Sequence, residues 1–193
     1  MYDRLAADAT HIIHNAWTVN LKLSALTLLS ANIPRVQALI QFASATAHSA
    51  LLFLISSIGT VMNWLKYGRQ GLVPEVIIAD SAVAQEIGYS QTKYVAEQLL
   101  DIALTKSGID VCCFRVGQTS GPVGTDMGAW NKTTENVEED PAVKLLEFLV
   151  SLQRLDNKIA EPIISAQKAK RHCPTLRTCG RVTEEWMELW MRQ

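Results

Sequence analysis

Three short runs of nearly unbroken apolar character constrain this chain most: "ATHIIHNAW" (Ala9–Trp17), "LLFLIS" (Leu51–Ser56) and "DVCCFRV" (Asp110–Val116). Each has the length of a strand, and continuous rather than alternating hydrophobicity means burial on both faces. Helical stretches separate them. "IPRVQALIQFASATA" (Ile33–Ala47) places Ile33, Val36, Leu39, Ile40 and Ala43 along one face of a helix. "SQTKYVAEQLLDIALTKSG" (Ser90–Gly108) predicts a second helix, with Ser90 as a possible cap and Gly108 just past its end. Strands joined by helices of ten or more residues predict an α/β fold with a parallel sheet covered on both faces.

After Val116 the pattern changes. "GQTSGPVGTDMGAWNKTTENVEED" is rich in Gly and Thr and lacks apolar periodicity. Asp140-Pro141 is a helix-start signal ahead of Val143, Leu145, Leu146, Leu149 and Val150, and "TEEWMELWMR" predicts a last helix with Trp186, Leu189 and Trp190 on one side. The reading is therefore residues 1–130 as an α/β region and residues 131–193 as a helical C-terminal segment.

A net charge of −1 and the lack of a basic stripe argue against a nucleic-acid surface. The most apolar run, Ala50–Leu65, contains three hydroxyls and a glycine and is shorter than the roughly 20 residues of a spanning helix. The N-terminus "MYDRLAADAT" lacks the basic and apolar regions of a secretory signal, so a cytoplasmic, non-membrane protein is expected. Cys112 and Cys113 would point to opposite sides of a strand, and Cys173 and Cys179 match no zinc spacing. His11 and His14 would likewise face opposite ways on a strand, so no metal site is expected.

The chemistry-bearing residues gather at predicted strand ends, where open α/β sheets bind ligands. Ser56 and Ser57 end the second strand, Asn15 and Ala16 the first, and Arg115, Val116, Gly117 and Gln118 the third. In "GYSQTKYVAEQLL", Tyr89 lies four residues before Lys93, on the same helical face. A phenol beside an ammonium is a proton donor in waiting. Taken singly, each of these residues is as well explained by a cap, a solvated face or a turn.

In order, "THIIHNAW", "LISSIGTV", "GYSQTKYVAEQLL" and "FRVGQTSGPV…GAWN" resemble the signatures of extended short-chain dehydrogenases/reductases. They are most similar to the thioester-reductase (male-sterility-type) domains of fungal adenylating reductases and some peptide synthetases. "DPAVKLLEFL" and "CPTLRTCGRVTEEWMELWMRQ" resemble that family's C-terminal end.

The resemblance implies NADPH-dependent reduction of an acyl thioester, carried on a phosphopantetheine arm, to an aldehyde. It makes Tyr89 the acid, Lys93 the residue that lowers the phenol pKa and holds the nicotinamide ribose, and Ser57 the carbonyl ligand. It also implies that Asn15, Ala16, Ser56, Tyr89, Lys93 and the Arg115–Gln118 turn line the nicotinamide half of the cofactor.

The family's opening strand, Thr-Gly-x-x-Gly-x-x-Gly turn and helix, which cradle the pyrophosphate, have no counterpart here. Gly117, Gly121 and Gly124 form a spaced set after a strand, but Pro122 interrupts it and no helix follows. Only "KTTENVEED" stands where the family has a sizeable substrate region. The resemblance thus makes residues 1–130 a partial NAD(P)-binding reductase domain, a partial Rossmann-type parallel sheet lacking its first βαβ unit, and residues 131–193 a remnant of the substrate and C-terminal region. The expectation is that the chain alone binds NADPH weakly or not at all and is inactive. One alternative is a non-catalytic fragment that self-associates through an exposed sheet edge. Another is a sugar-nucleotide epimerase or dehydratase, which shares the Ser/Tyr/Lys set; "TVMNW" stands where those enzymes carry Tyr-Gly.

Overall fold

The computed structural model describes residues 1–117, 162–180 and 183–186. It divides into two compact units, the first formed by Met1–Gly117 together with Pro162–Ile164. In chain order this unit contains α1 (Tyr2–Asp8), β1 (His11–His14), α2 (Ala25–Ser44), β2 (Leu51–Ser57), α3 (Gly88–Ser107) and β3 (Val111–Val116). The three strands form one parallel sheet in the order β1-β2-β3. His14 stands opposite Leu54, and Ser56 and Ser57 stand opposite Arg115 and Val116. The strand ends therefore gather on one rim.

The sheet is covered asymmetrically. Leu52 and Leu54 of β2 share a core with Val36 and Ala43 of α2 and with Ala96, Leu100 and Ala103 of α3. Both long helices thus lie on the same face. On the other face the rings of His11, Phe53 and Phe114 stack in a row, 6.0 and 5.7 Å apart, and Phe114 is 40% exposed. Covering of both faces, as the strand composition predicts, does not hold among the described residues. β1 and β3 accordingly contain exposed positions where buried strands are expected.

The predicted helix at Ile33–Ala47 starts earlier than expected. Ser24 caps α2 by accepting from the Thr27 N–H at 3.2 Å, and Pro34 lies inside the helix rather than at its start. An interior proline costs a helix about 3 kcal/mol, here offset by the cap and by burial of Leu28, Val36 and Ala43. Asn32, fully buried, accepts from the Thr18 N–H and donates to the Leu28 carbonyl, which ties the segment after β1 to α2. α1 is an element without a counterpart in the sequence reading; Tyr2 packs edge-on against Phe42.

α3 ends as predicted. Gly108 adopts φ +64, and the N–H groups of Gly108 and Ile109 return to the carbonyls of Leu104 and Ala103. Its start differs, because Ile87 is the cap residue and Ser90 is buried within the helix. A Cβ on Gly88 would lie 2.4 Å from the Leu23 carbonyl oxygen, so the start of α3 is pressed onto the start of α2.

The connection from Ile58 to Ile87 carries its own small core of Val61, Trp64, Val73, Ile78 and Val83, closed by Tyr94 of α3 and Ile164. Val73 forms a parallel bridge to Ile164. In the second unit, α4 (Gln167–His172) and α5 (Pro174–Thr178) are folded together by Arg177, which donates to the carbonyls of Lys170 and Arg171. Gln118, the boundary at residue 130, the helix predicted near Asp140 and residues Leu189 and Trp190 lie outside the described residues. No helix among the described residues is long and apolar enough to cross a membrane.

Candidate active site

Ser57, the last residue of β2, is brought to Tyr89, the second residue of α3, with its hydroxyl near enough to the phenol to act on its acidity. The Ser57 Oγ also accepts the Gly59 N–H at 3.1 Å, which fixes its rotamer at the tight turn leaving the strand. That turn fits closely against α3, for a Cβ on Gly59 would sit 2.2 Å from the Ser90 Oγ. Burial pushes the half-buried Tyr89 phenol above its usual range, while the Ser57 hydroxyl opposes the rise. The phenol is therefore protonated at neutral pH.

One helical turn on, the Lys93 Nζ lies 5.9 Å from the centroid of the Tyr89 ring. The side chain is only 2% exposed. It donates to the Ile55 carbonyl, and its ammonium sits 4.1 Å from the centroid of the Trp17 ring. Burial lowers its pKa to about 8, against an opposing pull from Glu97. The expectation that Lys93 lowers the phenol pKa is thus not met. Desolvation dominates both groups, and the ammonium is already engaged by the Ile55 carbonyl and the Trp17 indole.

The remaining predicted residues divide. Asn15 and Ala16 follow β1 directly, Val116 ends β3 and Gly117 follows it; all four are exposed at the strand ends, on the rim with Ser57. Ser56 and Arg115 have a different task from the one expected. The Ser56 hydroxyl donates to Glu97 Oε1 and is 3% exposed. Arg115 Nε and Nη2 donate to the two Glu97 oxygens at 3.2, 3.2 and 2.7 Å. Both side chains are held inside the protein rather than turned to a ligand.

Sequence reasoning missed Glu97 and Trp17. Glu97 could have been found, since it falls on the helical face of Lys93, Ala96 and Leu100. A carboxylate at a core position requires a partner.

The residue order and the parallel sheet match a known family. Residues 1–162 match the NAD-binding family described as Male sterility protein. The chain belongs to that family. It is 38% identical over 135 residues to an adenylate-forming reductase of Serpula lacrymans var. lacrymans, a match covering 68% of this chain and 12% of that protein. To a carboxylic acid reductase of Neurospora crassa it is 33% identical over 132 residues, again 68% of this chain and 12% of the relative. Among solved structures, the terminal R domain of the myxalamid PKS-NRPS biosynthetic pathway superposes with a TM-score of 0.51 at 25% identity, covering 61% of this chain and 29% of that one. The chain thus spans about 12% of the length of these curated relatives.

Proposed function

We propose that this chain carries the proton-transfer half of a reductase site that converts a carrier-bound acyl thioester to an aldehyde, with NADPH as reductant. The observation that carries this reading is the approach of the Ser57 hydroxyl to the Tyr89 phenol at the end of β2, with Lys93 one turn away on α3. Names of relatives support the reaction class, since they include carboxylic acid and adenylate-forming reductases.

The donor set fits a nicotinamide ribose. Lys93 gives one N–H to Ile55 and has others of the kind that meet sugar hydroxyls beside Trp17, and Asn15, Ala16, Val116 and Gly117 are exposed at the strand ends. When bound, the dinucleotide supplies hydride to the thioester carbon.

The chain's own residues do the rest. Ser57 donates to the carbonyl oxygen and orients it. Tyr89 then gives its proton to the oxyanion as charge develops there. Collapse of the resulting hemithioacetal expels the thiol and leaves the aldehyde.

The test is to incubate the purified chain with NADPH and an acyl-pantetheine thioester and to quantify trapped aldehyde. Tyr89→Phe is expected to lower the rate by about 10²–10⁴, the usual range for a general acid. Aldehyde formation equal in the variant and the parent would refute the reading.

A further inference from the structure

Glu97 is the most completely enclosed charge among the described residues, with its side chain at 0% exposure, and no step above uses it. Its carboxylate joins four elements. It stands on α3, accepts from Ser56 at the end of β2, accepts from Thr60 in the turn after β2, and takes the Arg115 guanidinium from β3. The same Thr60 hydroxyl lies 2.9 Å from the Ser57 carbonyl and shares its one proton between that carbonyl and Glu97. Ser56 and Arg115 are direct partners in the sheet register, so one carboxylate reads two adjacent strands at the same level.

Lys93, one turn earlier, holds the carbonyl of Ile55. Two successive residues of β2, Ile55 and Ser56, are therefore gripped from α3 just before Ser57. Residues 89, 93 and 97 follow one another along a single helical face. The site and its support are built on one line.

We propose that Glu97 is a positioning residue of the Ser57–Tyr89–Lys93 set, tying the end of β2 to α3 so that the Ser57 hydroxyl stays within hydrogen-bonding reach of the Tyr89 phenol. The assignment rests on the site reading given above. Glu97 touches neither substrate nor cofactor in this role. It acts through Ser56 and Thr60, the neighbours that flank Ser57 in the chain.

The test needs no substrate. Tyrosine is labelled at Cζ with carbon-13, and the Tyr89 resonance is identified among four tyrosines by its loss in Tyr89→Phe. In the parent chain, Ser57→Ala displaces that resonance, because it removes the hydroxyl that acts on the phenol. The same substitution is then made in Glu97→Gln and in Glu97→Met/Arg115→Met. The double variant replaces the ion pair by apolar side chains of similar length, which buried pairs tolerate better than loss of one partner, and so gives a folded reading should Glu97→Gln not fold.

The expected result is that the Ser57→Ala displacement falls by at least half in the Glu97 backgrounds, while a chain weakened elsewhere in its core by Leu28→Ala retains it. An unchanged displacement in the Glu97 backgrounds overturns the positioning role, and so does an equal loss in Leu28→Ala. Absence of any displacement in the parent chain overturns the Ser57–Tyr89 contact itself, and with it both this assignment and the site reading.

Discussion

Removing the Arg115 guanidinium isolates a charge that the fold encloses completely. In Arg115→Met the side chain keeps its length and apolar stem, but Glu97 loses three N–H contacts at 2.7–3.2 Å. Only the hydroxyls of Ser56 and Thr60 remain to hold the carboxylate. Breaking one partner of a buried pair destabilises by roughly 3–5 kcal/mol, because the other charge stays desolvated. For a chain of this size each kcal/mol lowers Tm by about 2–4 °C, so a fall on the order of 10 °C is expected.

The companion variant Glu97→Met/Arg115→Met removes the stranded charge. Thr60 keeps the Ser57 carbonyl as acceptor, leaving the Ser56 hydroxyl as the main orphan, at about 1–3 kcal/mol. The double variant should therefore be more stable than Arg115→Met alone. Urea unfolding followed by tryptophan fluorescence and circular dichroism measures both. An Arg115→Met chain within about 1 kcal/mol of the parent, or a double variant less stable than the single, would refute the argument.

Two further outcomes concern the same rim. Lys93 has a folded pKa of about 8 against roughly 10.4 unfolded, so the unfolded chain binds more protons between those values. Stability should consequently rise with pH from about 8 to roughly 10.4, and Lys93→Met should flatten that rise; urea midpoints measured across the window decide it, and an equal slope in both chains would count against a desolvated ammonium. Gly88→Ala would press a methyl to within 2.4 Å of the Leu23 carbonyl oxygen and 2.7 Å of the Ala25 nitrogen. Overpacking of this kind costs typically 1–3 kcal/mol, read as a lower urea midpoint, whereas a neutral substitution would mean that α2 and α3 part easily.

Local pattern made much of this architecture legible. Continuous apolar runs marked β1, β2 and β3, and 3.6-residue periodicity with Gly108 marked the body and end of α3. The proximity of Ser57 to Tyr89 matched the expected order because strand ends and the start of the following helix share a rim. Boundaries were less readable. Apolar periodicity picked out α2 only from Ile33, whereas the cap at Ser24 starts the helix at Ala25 and leaves Pro34 inside it.

The tasks of Ser56 and Arg115 could not be read from spacing. Both depend on Glu97, which lies 41 and 18 residues away in sequence. The coverage of only one sheet face likewise follows from how α2 and α3 pack together, not from strand composition.

The grip on β2 divides the chain into parts that can change in length and parts that cannot. Ile55–Ser57 answers to residues spaced by single helical turns on α3. One residue inserted in β2 would turn its following side chains to the opposite face, and one inserted in α3 would rotate Glu97 by about 100°. Either would undo the contacts together. An insertion at an exposed point between them, such as Gly68–Gly71, leaves both registers intact and adds only a small loop-closure penalty. The connection between β2 and α3 is thus free to be rewritten by insertion while the proton donor and its support are inherited as one block.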